Sequence, residues 1–296
     1  MYDIEKIYQA TSVEDAIKRL ALEPNAIIIA GGSDVLISIR HGKLAGCSLV
    51  SIYGLDELRG VKLQEDGSIK IGALTSFSHI TKNDTIKKYI PVLGEAVDEI
   101  GGPQLRNIGT IGGNISNGVT SADSASTLFA LNAKLEITGI SGVRTIPISE
   151  YYISPGKVSL KNAEILTAIY ITKENYENYK GNYIKYAMRN AMDIATLGCS
   201  VVCKLNAQKD KIEDIRLAYG VAAPIPMRCF KAEEAVKGMS FSEEMFNTFG
   251  ETAKTEVNPR TSWRASKDFR LQLVGELSKR ALKESIKKCG GVINGK

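Results

Sequence analysis

Residues 28 to 36 read I-I-A-G-G-S-D-V-L, so two glycines, a serine and an aspartate separate one apolar stretch from the next. Ala26 to Ala30 is short, continuous and apolar, which predicts a strand buried on both faces. Gly31 and Gly32 let main-chain N–H groups approach an anion closely and tolerate positive φ. A short helix after them would add partial positive charge at the same point. A plain tight turn explains the stretch equally well, because both the G-x-G-x-x-G and the G-K-[ST] patterns are missing.

The polar side chains of this first loop (residues 29–36) divide into two expected roles. Ser33 can cap the helix that follows or donate its hydroxyl to a phosphate. Asp34 would repel a phosphate, so we assign it to capping or to holding the turn.

A second glycine-rich stretch, Q104-L-R-N-I-G-T-I-G-G-N-I-S-N-G-V-T-S-A-D123, lies in a polar segment from Gly101 to Ser126 (the second loop). Loops of that length are usually functional. Hydroxyls, amides and bare backbone could serve a polyanion or a sugar here, and they come from Thr110, Gly112, Gly113, Asn114, Ser116 and Asn117. Asp123 precedes an apolar helix, Ala125 to Leu131, and can cap it or accept hydrogen bonds from ribose or ribityl hydroxyls. The alternative is an irregular surface loop.

Regular elements are predicted around both loops. Ser12 can cap a helix with Asp15 reaching back to its start, and the apolar face of that helix is Val13, Ala16, Ile17 and Leu20. The remaining elements up to Thr172 are strands at 48–52, 69–73, 135–138, 143–148 and 165–172 and helices at 77–82 and 85–100.

A polar stretch from Lys173 to Asn182 is interpreted as a linker to a final unit. That unit is expected to contain strands at 183–188, 196–205 and 215–221 and helices at 230–237, 243–256 and 266–288. Together these elements predict an α+β class in several layers.

Composition excludes several classes of protein. The 296 residues are 44% hydrophobic and 24% charged, which is typical of a globular chain. We expect no membrane span, because no run of 18 apolar residues occurs, and we see no secretion signal, so a cytoplasmic location is expected. The net charge of +5 is spread over scattered lysines. Without a basic stripe that alternates with stacking aromatics, we expect no nucleic-acid binding.

Five cysteines and two histidines offer little for a metal. The cysteines form no C-x-x-C pair, and Cys199 and Cys203 lie in a stretch that is typical of a strand. We therefore expect free thiols in a reducing compartment, and no zinc or iron–sulfur cluster in this chain.

The two loops together resemble a known family. A-G-G-S-D-V-L, followed by T110-I-G-G-N-I and Asp123, is similar to the paired double-glycine signature of the molybdenum hydroxylase flavoproteins, the FAD-binding medium subunits of the xanthine dehydrogenase family. The likeness covers nearly the whole chain and includes Y186-A-M-R-N-A-M-D-I-A-T, G220-V-A-A-P-I-P-M-R and S262-W-R-A-S-K-D-F-R. Bacterial xanthine dehydrogenase and nicotinate dehydrogenase FAD subunits are the nearest types.

The resemblance implies the fold and its division. An FAD-binding domain of the PCMH or vanillyl-alcohol-oxidase type would occupy residues 1–176, in α+β subdomains of about 1–54 and 55–176. A C-terminal α+β domain like that of the CO dehydrogenase flavoproteins would occupy residues 183–290.

The same resemblance implies which residues bind FAD, and it implies no catalytic and no metal-binding residue in this chain. The residues that match the family's FAD contacts are Ile29, Ala30, Gly31, Gly32, Ser33, Asp34, Val35, Leu36, Ile100, Thr110, Gly113, Asn114, Asp123, Leu166 and Lys185. Gly31, Gly32 and Ser33 would donate to the pyrophosphate, and Leu166 would form an apolar wall against the ring system. Lys185 is expected to place positive charge near the cofactor and so stabilise its reduced, anionic form.

The function implied is that of an electron-transfer subunit. A molybdopterin-binding large subunit would hydroxylate an N-heterocycle, and two [2Fe–2S] clusters in a small subunit would pass electrons to FAD in this chain and then to NAD⁺ or NADP⁺. The heterocycle and the choice of acceptor are left open by the sequence.

Two rivals remain open at this point. The first is a self-contained flavoenzyme resembling UDP-N-acetylenolpyruvoylglucosamine reductase, for which Arg106, Arg189 and Glu164 are candidates by residue type alone. The second is a non-enzymatic nucleotide-binding or phosphate-binding module, which would carry no tight flavin.

Overall fold

The computed structural model describes residues 2–293, and its first unit is a small parallel sheet with two helices. The unit contains β1 (Ile4–Gln9), α1 (Val13–Leu22), β2 (Ile27–Ile29), α2 (Val35–Arg40) and β3 (Cys47–Ser51). The strand order is β1-β3-β2, with both pairs parallel. The Ser12 hydroxyl accepts from the Asp15 N–H at 3.0 Å, and the Asp15 carboxylate accepts from the Thr11 N–H at 2.8 Å. The predicted cap of α1 is confirmed, with the reciprocal bond one residue earlier than in a standard capping box.

The second unit places a cluster of helices on one antiparallel sheet. Its elements are β4 (Val61–Leu63), β5 (Ile69–Gly72), α3 (Phe77–Lys82), α4 (Asp84–Tyr89), α5 (Pro91–Asp98), α6 (Pro103–Ile108), α7 (Ile111–Ser116), α8 (Asp123–Ala130), β6 (Lys134–Gly139), β7 (Gly142–Pro147), β8 (Tyr152–Ser154), β9 (Lys157–Val158) and β10 (Glu164–Ile171). The main sheet has the order β4-β5-β10-β6-β7, and β8 pairs with β9 separately. The predicted β6–β7 hairpin is confirmed, with Lys134 opposite Pro147 and Gly139 opposite Gly142.

The third unit is a four-stranded antiparallel sheet covered on both faces. It contains β11 (Lys180–Tyr186), β12 (Leu197–Leu205), β13 (Ile212–Gly220), β14 (Met227–Arg228), α9 (Phe230–Val236), α10 (Glu243–Glu256) and α11 (Lys267–Lys288). Val201 and Leu217 belong to a core shared with α9 to α11, whereas Val202 and Ala218 belong to the core of the second unit. Because side chains alternate across a strand, each face of the sheet meets a different set of helices. The class is mixed α+β, as predicted.

One predicted helix is divided in the structure. The stretch 85–100 forms α4 and α5, with Ile90 between them at φ −135° and ψ 54°. Pro91 has no N–H and disfavours a helical conformation in the residue before it, so α4 ends there and Pro91 opens α5.

The second loop is not one continuous loop, and the alternative of an irregular surface loop is wrong. Gly101 to Ser126 contains α6, α7 and the start of α8, joined by short turns. Pro103 opens α6, and Thr110 caps α7 by accepting from the Gly113 N–H at 3.2 Å. The glycines inside α7 lower its intrinsic helix propensity and so hid it. A Cβ on Gly112 would lie 2.6 Å from the Ala73 Cβ, so close packing against the β5 end requires a glycine there.

The stretch predicted as a linker, Lys173 to Asn182, is partly packed, and its role as a linker stays a prediction. Asn175 and Tyr176 are buried, and β11 begins at Lys180 rather than at Tyr183. The Asn175 side-chain oxygen accepts from the Asn132 amide at 2.9 Å, and its carbonyl accepts from Arg216 at 3.1 Å. These hydrogen bonds satisfy the buried polar groups of Asn175, whereas Lys173, Glu174, Glu177 and Asn178 are exposed, as the composition of the stretch indicated. Within residues 2–293, each helix is either too short or too polar to cross a bilayer.

Candidate functional site

The first loop forms a tight turn between β2 and α2. Gly32 has φ +74°, in the left-handed region that glycine adopts without strain. The Leu36 N–H donates to the Gly32 carbonyl at 3.0 Å and closes the turn. Within the described residues, no acceptor takes a hydrogen bond from the main-chain N–H groups of residues 31 to 34. Four successive donors are therefore available to a ligand at the start of α2.

The first loop touches the second at Gly31. A Cβ on Gly31 would lie 2.1 Å from the Ile108 carbonyl oxygen at the end of α6, far inside van der Waals contact. Only a glycine permits this approach of the two backbones. The 77 residues of sequence separation make this contact invisible to local pattern reasoning, so Ile108 was missed.

Asp34 joins the loops a second time. It stands at the cap position of α2, yet its side chain makes no capping hydrogen bond, so the capping role we expected is wrong. Partial burial raises the pKa of the Asp34 carboxyl, and the Asn117 side chain of the second loop opposes this rise. The alternative expectation for Asp34, a structural role in the turn, agrees with this contact across the two loops.

In the second loop the main-chain donors are largely used by the protein itself. The Ile111 and Gly112 N–H groups donate to the Thr75 and Ala73 carbonyls at 3.0 and 2.8 Å. The Asn114 side-chain oxygen accepts from the Ser124 hydroxyl at 2.7 Å, which leaves its amide NH₂ free to donate. Of the hydroxyls, amides and bare backbone that were expected in the second loop, the side-chain donors are available, whereas most main-chain donors are already used.

Asp123 lies at the first position of α8, where its negative charge favours the helix. Its two oxygens accept from the Tyr183 hydroxyl at 2.7 Å and from the Lys185 ammonium at 2.9 Å. Burial raises the pKa of Asp123, and the Lys185 charge opposes the rise. Tyr183 is fully enclosed, and burial together with Asp123 raises the pKa of its hydroxyl. The capping role for Asp123 is wrong, because its side chain makes no cap hydrogen bond.

Lys185 is the buried partner of Asp123. Its side chain is only 5% exposed, and besides Asp123 its ammonium donates to the Glu99 carbonyl at 2.9 Å. The Asp123 carboxylate offsets this charge, and a role of Lys185 in stabilising reduced, anionic flavin stays a prediction. The lysine therefore positions Asp123 and ties β11 to the end of α5.

The two apolar candidates, Ile100 and Leu166, are both buried. Ile100 is buried after α5, and its carbonyl accepts from the Arg106 guanidinium at 3.1 Å. Leu166 is buried on β10, opposite Ile137, in the main core of the second unit. An apolar wall at Leu166 stays a prediction.

The three candidates for the self-contained reductase do not meet in one place. Arg106 pairs with Asp98, Arg189 pairs with Asp193, and Glu164 forms a two-bond pair with Arg144 at 2.7 and 2.8 Å, among the described residues. Each is used in a local ion pair. In residues 2–293, no group of three or more His, Cys, Asp and Glu side chains is arranged to hold a metal ion.

This geometry fits the pyrophosphate of a dinucleotide. Free main-chain donors sit at a glycine turn, and a side chain at Gly31 would force the two loops apart. Neutral donors bind anions well at such a turn. The family model described as "FAD binding domain in molybdopterin dehydrogenase" matches residues 2–173, and "CO dehydrogenase flavoprotein C-terminal domain" matches residues 182–285. The chain belongs to the FAD-binding subunits of the molybdenum hydroxylases.

Individual relatives agree with this membership. The chain is 42% identical over 291 residues to the xanthine dehydrogenase FAD-binding subunit of Escherichia coli O157:H7, covering 98% of this chain and 99% of that one. It is 32% identical to the glyceraldehyde dehydrogenase medium chain of Sulfolobus acidocaldarius, covering 96% and 99%. The nicotinate dehydrogenase FAD subunit of Eubacterium barkeri is 30% identical over 220 residues, 73% of each chain.

A solved structure shows the same architecture. The carbon monoxide dehydrogenase of Hydrogenophaga pseudoflava contains a chain that superposes with a TM-score of 0.92 at 27% identity, over 98% of this chain and 99% of that one. The FAD-binding subunit described here is thus an oxidoreductase subunit that works as the medium chain of a multi-subunit molybdenum hydroxylase. This membership bears out the predicted family, fold class and FAD cofactor.

Proposed function

We propose that this FAD-binding subunit carries electrons from [2Fe–2S] clusters in a small partner subunit to NAD⁺ or NADP⁺, with a molybdopterin-binding large subunit hydroxylating a CH group of an N-heterocycle. Bound FAD would supply the exchange between one-electron and two-electron chemistry, which amino-acid side chains cannot perform. The relatives named for xanthine and nicotinate support a heterocyclic substrate. The proposal includes a cytoplasmic location, which cell fractionation tests.

The observation that carries the proposal is the set of free N–H groups at residues 31 to 34, held against the second loop. We assign these donors and the Ser33 hydroxyl to the pyrophosphate. Ile29, Ala30, Val35 and Leu36 shape the turn that presents them. Without a positive side chain in the loop, the anion is bound by dipoles alone, which hold it at a fixed position.

The second loop is assigned to the rest of the dinucleotide. The Thr110 hydroxyl and the Asn114 amide retain donor capacity, and Gly113 keeps the first turn of α7 open beside Thr110. Asp123 retains acceptor capacity for a ribityl or ribose hydroxyl, with Lys185 holding it in place. Ile100 and Leu166 are assigned as apolar walls.

We keep the proposed division into residues 1–176 and 183–290, with subdomains of about 1–54 and 55–176. The second and third units share one core across this boundary, through Tyr183, Val202 and Ala218. We therefore expect the two proposed domains to unfold together and not in two separate steps. Differential scanning calorimetry tests this: two resolved transitions would contradict the shared core.

Anaerobic reduction of the isolated, FAD-loaded chain tests the electron-acceptor half of the function. We expect NADH or NADPH to bleach the flavin absorbance, because these reductants run the proposed transfer backwards, while xanthine or nicotinate alone leaves it unchanged. Bleaching by a substrate without partner subunits would favour the self-contained reductase. A colourless chain that takes up no FAD would favour the simple phosphate-binding module.

Gly32→Val is the matching test of the loop. A β-branched side chain is strained at φ +74° and would lie 3.1 Å from Leu36, so the turn must change and FAD should dissociate. Gly42→Val is the control, since Gly42 has φ +77° and nothing within 4 Å of its added Cβ. Equal FAD content in both variants would contradict the assignment.

A further inference from the structure

Three arginines near the start of α11 have no carboxylate partner. Eight other arginines of this subunit form ion pairs, as Arg228 does with Glu233 and Arg144 with Glu164. Arg260, Arg264 and Arg270 take part in none of the ion pairs within residues 2–293. Positive charge is thus concentrated in one short segment, where Asp268 in the first turn of α11 is the one acidic residue between positions 260 and 270 and pairs with none of the three arginines.

Arg270 is the buried member of this group, with 2% of its surface exposed. Its guanidinium donates to the Arg260 carbonyl at 3.1 Å and to the Ser262 hydroxyl at 2.9 Å, and its Nε has no partner. Burial and the charges of Arg260 and Arg264 lower the pKa of Arg270. A buried charge without a counterion is costly, so an anion brought to this segment from outside would be stabilised.

An exposed aromatic surface adjoins the arginines. Trp263, the only tryptophan of the chain, is 75% exposed, and the Arg264 guanidinium lies 4.3 Å from its ring centroid. Phe269 and Tyr186 meet edge to face at 5.7 Å, and both are partly exposed. We define the arginine–tryptophan patch as Arg260, Trp263, Arg264, Phe269 and Arg270. Tryptophan and arginine are the residue types that dominate binding energy at protein interfaces.

The patch lies at the end of the third unit that meets the second loop. The Asn258 N–H donates to the Ala222 carbonyl at 3.0 Å, and the neighbouring Val221 N–H donates to the Thr120 carbonyl at 3.1 Å. Tyr186 directly follows Lys185, whose ammonium binds Asp123. A partner bound to the patch would therefore sit beside the candidate FAD site.

We infer that the arginine–tryptophan patch is a docking surface for a partner subunit of the molybdenum hydroxylase, one that presents aspartate or glutamate carboxylates and an apolar recess for Trp263. Charge complementarity argues for the carboxylates, because the three arginines outnumber the one nearby acidic residue, Asp268, and none of them is paired with it. The protrusion of Trp263 argues for a protein, since a side chain that projects into solvent inserts into a partner, whereas a nucleotide is bound in a cleft.

The first test compares variants of the assembled complex. Arg264→Glu and Trp263→Ala are each expected to weaken association of this subunit with the complex about tenfold or more, as loss of an interface anchor does. Arg40→Glu is the control, because Arg40 is also an exposed arginine outside every ion pair described. Association is measured by native mass spectrometry and sedimentation at two salt concentrations. Complexes that stay equally stable in all variants would overturn the inference.

A second measurement does not depend on any substitution. The subunit labelled with 5-fluorotryptophan carries one ¹⁹F resonance, from position 263. Mixing with unlabelled partner subunits is expected to shift that resonance and protect it from a soluble paramagnetic quencher. An unshifted, unprotected resonance in the assembled complex would overturn the docking role. A fluorine shift caused by ADP-ribose alone, and abolished by Arg264→Glu without loss of assembly, would overturn it in favour of a nucleotide site.

Discussion

Replacing Gly31 by alanine tests the contact between the two loops most sharply. The new Cβ would lie 2.1 Å from the Ile108 carbonyl oxygen, whereas non-bonded heavy atoms settle at roughly 3.5 Å. The obstacle is main chain, so no rotamer change relieves it, and the loops must separate by about 1 Å or more. The strain costs about 1–3 kcal/mol of stability.

The effect on FAD follows from the donors that the separation misplaces. Losing two hydrogen bonds to a charged group costs about 3 kcal/mol or more, which corresponds to about a 100-fold weaker affinity. The assay titrates the deflavinated subunit with FAD and follows the quenching of flavin fluorescence, with a thermal melt of each variant in parallel.

Gly94→Ala is the matched control for this experiment. Its added Cβ would meet Ile86 at 3.5 Å, an ordinary contact inside α5. The control should therefore keep its FAD affinity and gain about 0.5–1 kcal/mol of stability from the lower backbone entropy of alanine. The reasoning is refuted if Gly31→Ala binds FAD within about threefold of the unmodified subunit, a difference of less than 1 kcal/mol.

Two further predictions concern ion pairs. Lys185→Met should leave the Asp123 carboxylate buried without its counterion and lower the free energy of unfolding in urea by about 3–5 kcal/mol. Adding Asp123→Asn to this variant should restore most of that loss. A Lys185→Met variant as stable as the parent would contradict the pairing. Arg144 lowers the pKa of Glu164, so the stability from this carboxylate is present above the ordinary glutamate pKa and is lost as the pH falls through the lowered one. Glu164→Gln should accordingly be less stable by about 1–3 kcal/mol at neutral pH and equal to the parent in strong acid; a deficit that is independent of pH would contradict this assignment.

Much of the fold could be predicted because its signals are local. The capping hydroxyl of Ser12 and the alternation in the β6–β7 hairpin each act within a few residues, and the structure confirms both. The α4–α5 break was missed although its signal, Pro91, is also local, because the apolar spacing continues across it. Helix α7 was missed because its two glycines, which allow tight packing, lower its helix propensity.

The residue types of the site could be predicted from the sequence, but most of the contacts between them could not. Both loops were recognised from their glycines and small polar residues. Their meeting at Gly31 and Ile108 depends on the tertiary fold, as does the pairing of Asp123 with Lys185, which lies 62 residues further along the chain. From the sequence alone we expected the charge of Lys185 to be unpaired, because nothing close to it in the chain indicates that Asp123 is its partner.

The central claim is that electrons reach the nicotinamide acceptor through the cofactor held by the two loops. Its most direct test is a complex assembled with the Gly32→Val subunit and freed of FAD, supplied with heterocyclic substrate under anaerobic conditions. We predict that the [2Fe–2S] clusters become reduced, as followed by their visible and EPR signals, while NAD⁺ or NADP⁺ stays oxidised, and that the Gly42→Val complex reduces both. Reduction of NAD⁺ or NADP⁺ at the parent rate by the flavin-free complex would contradict the account.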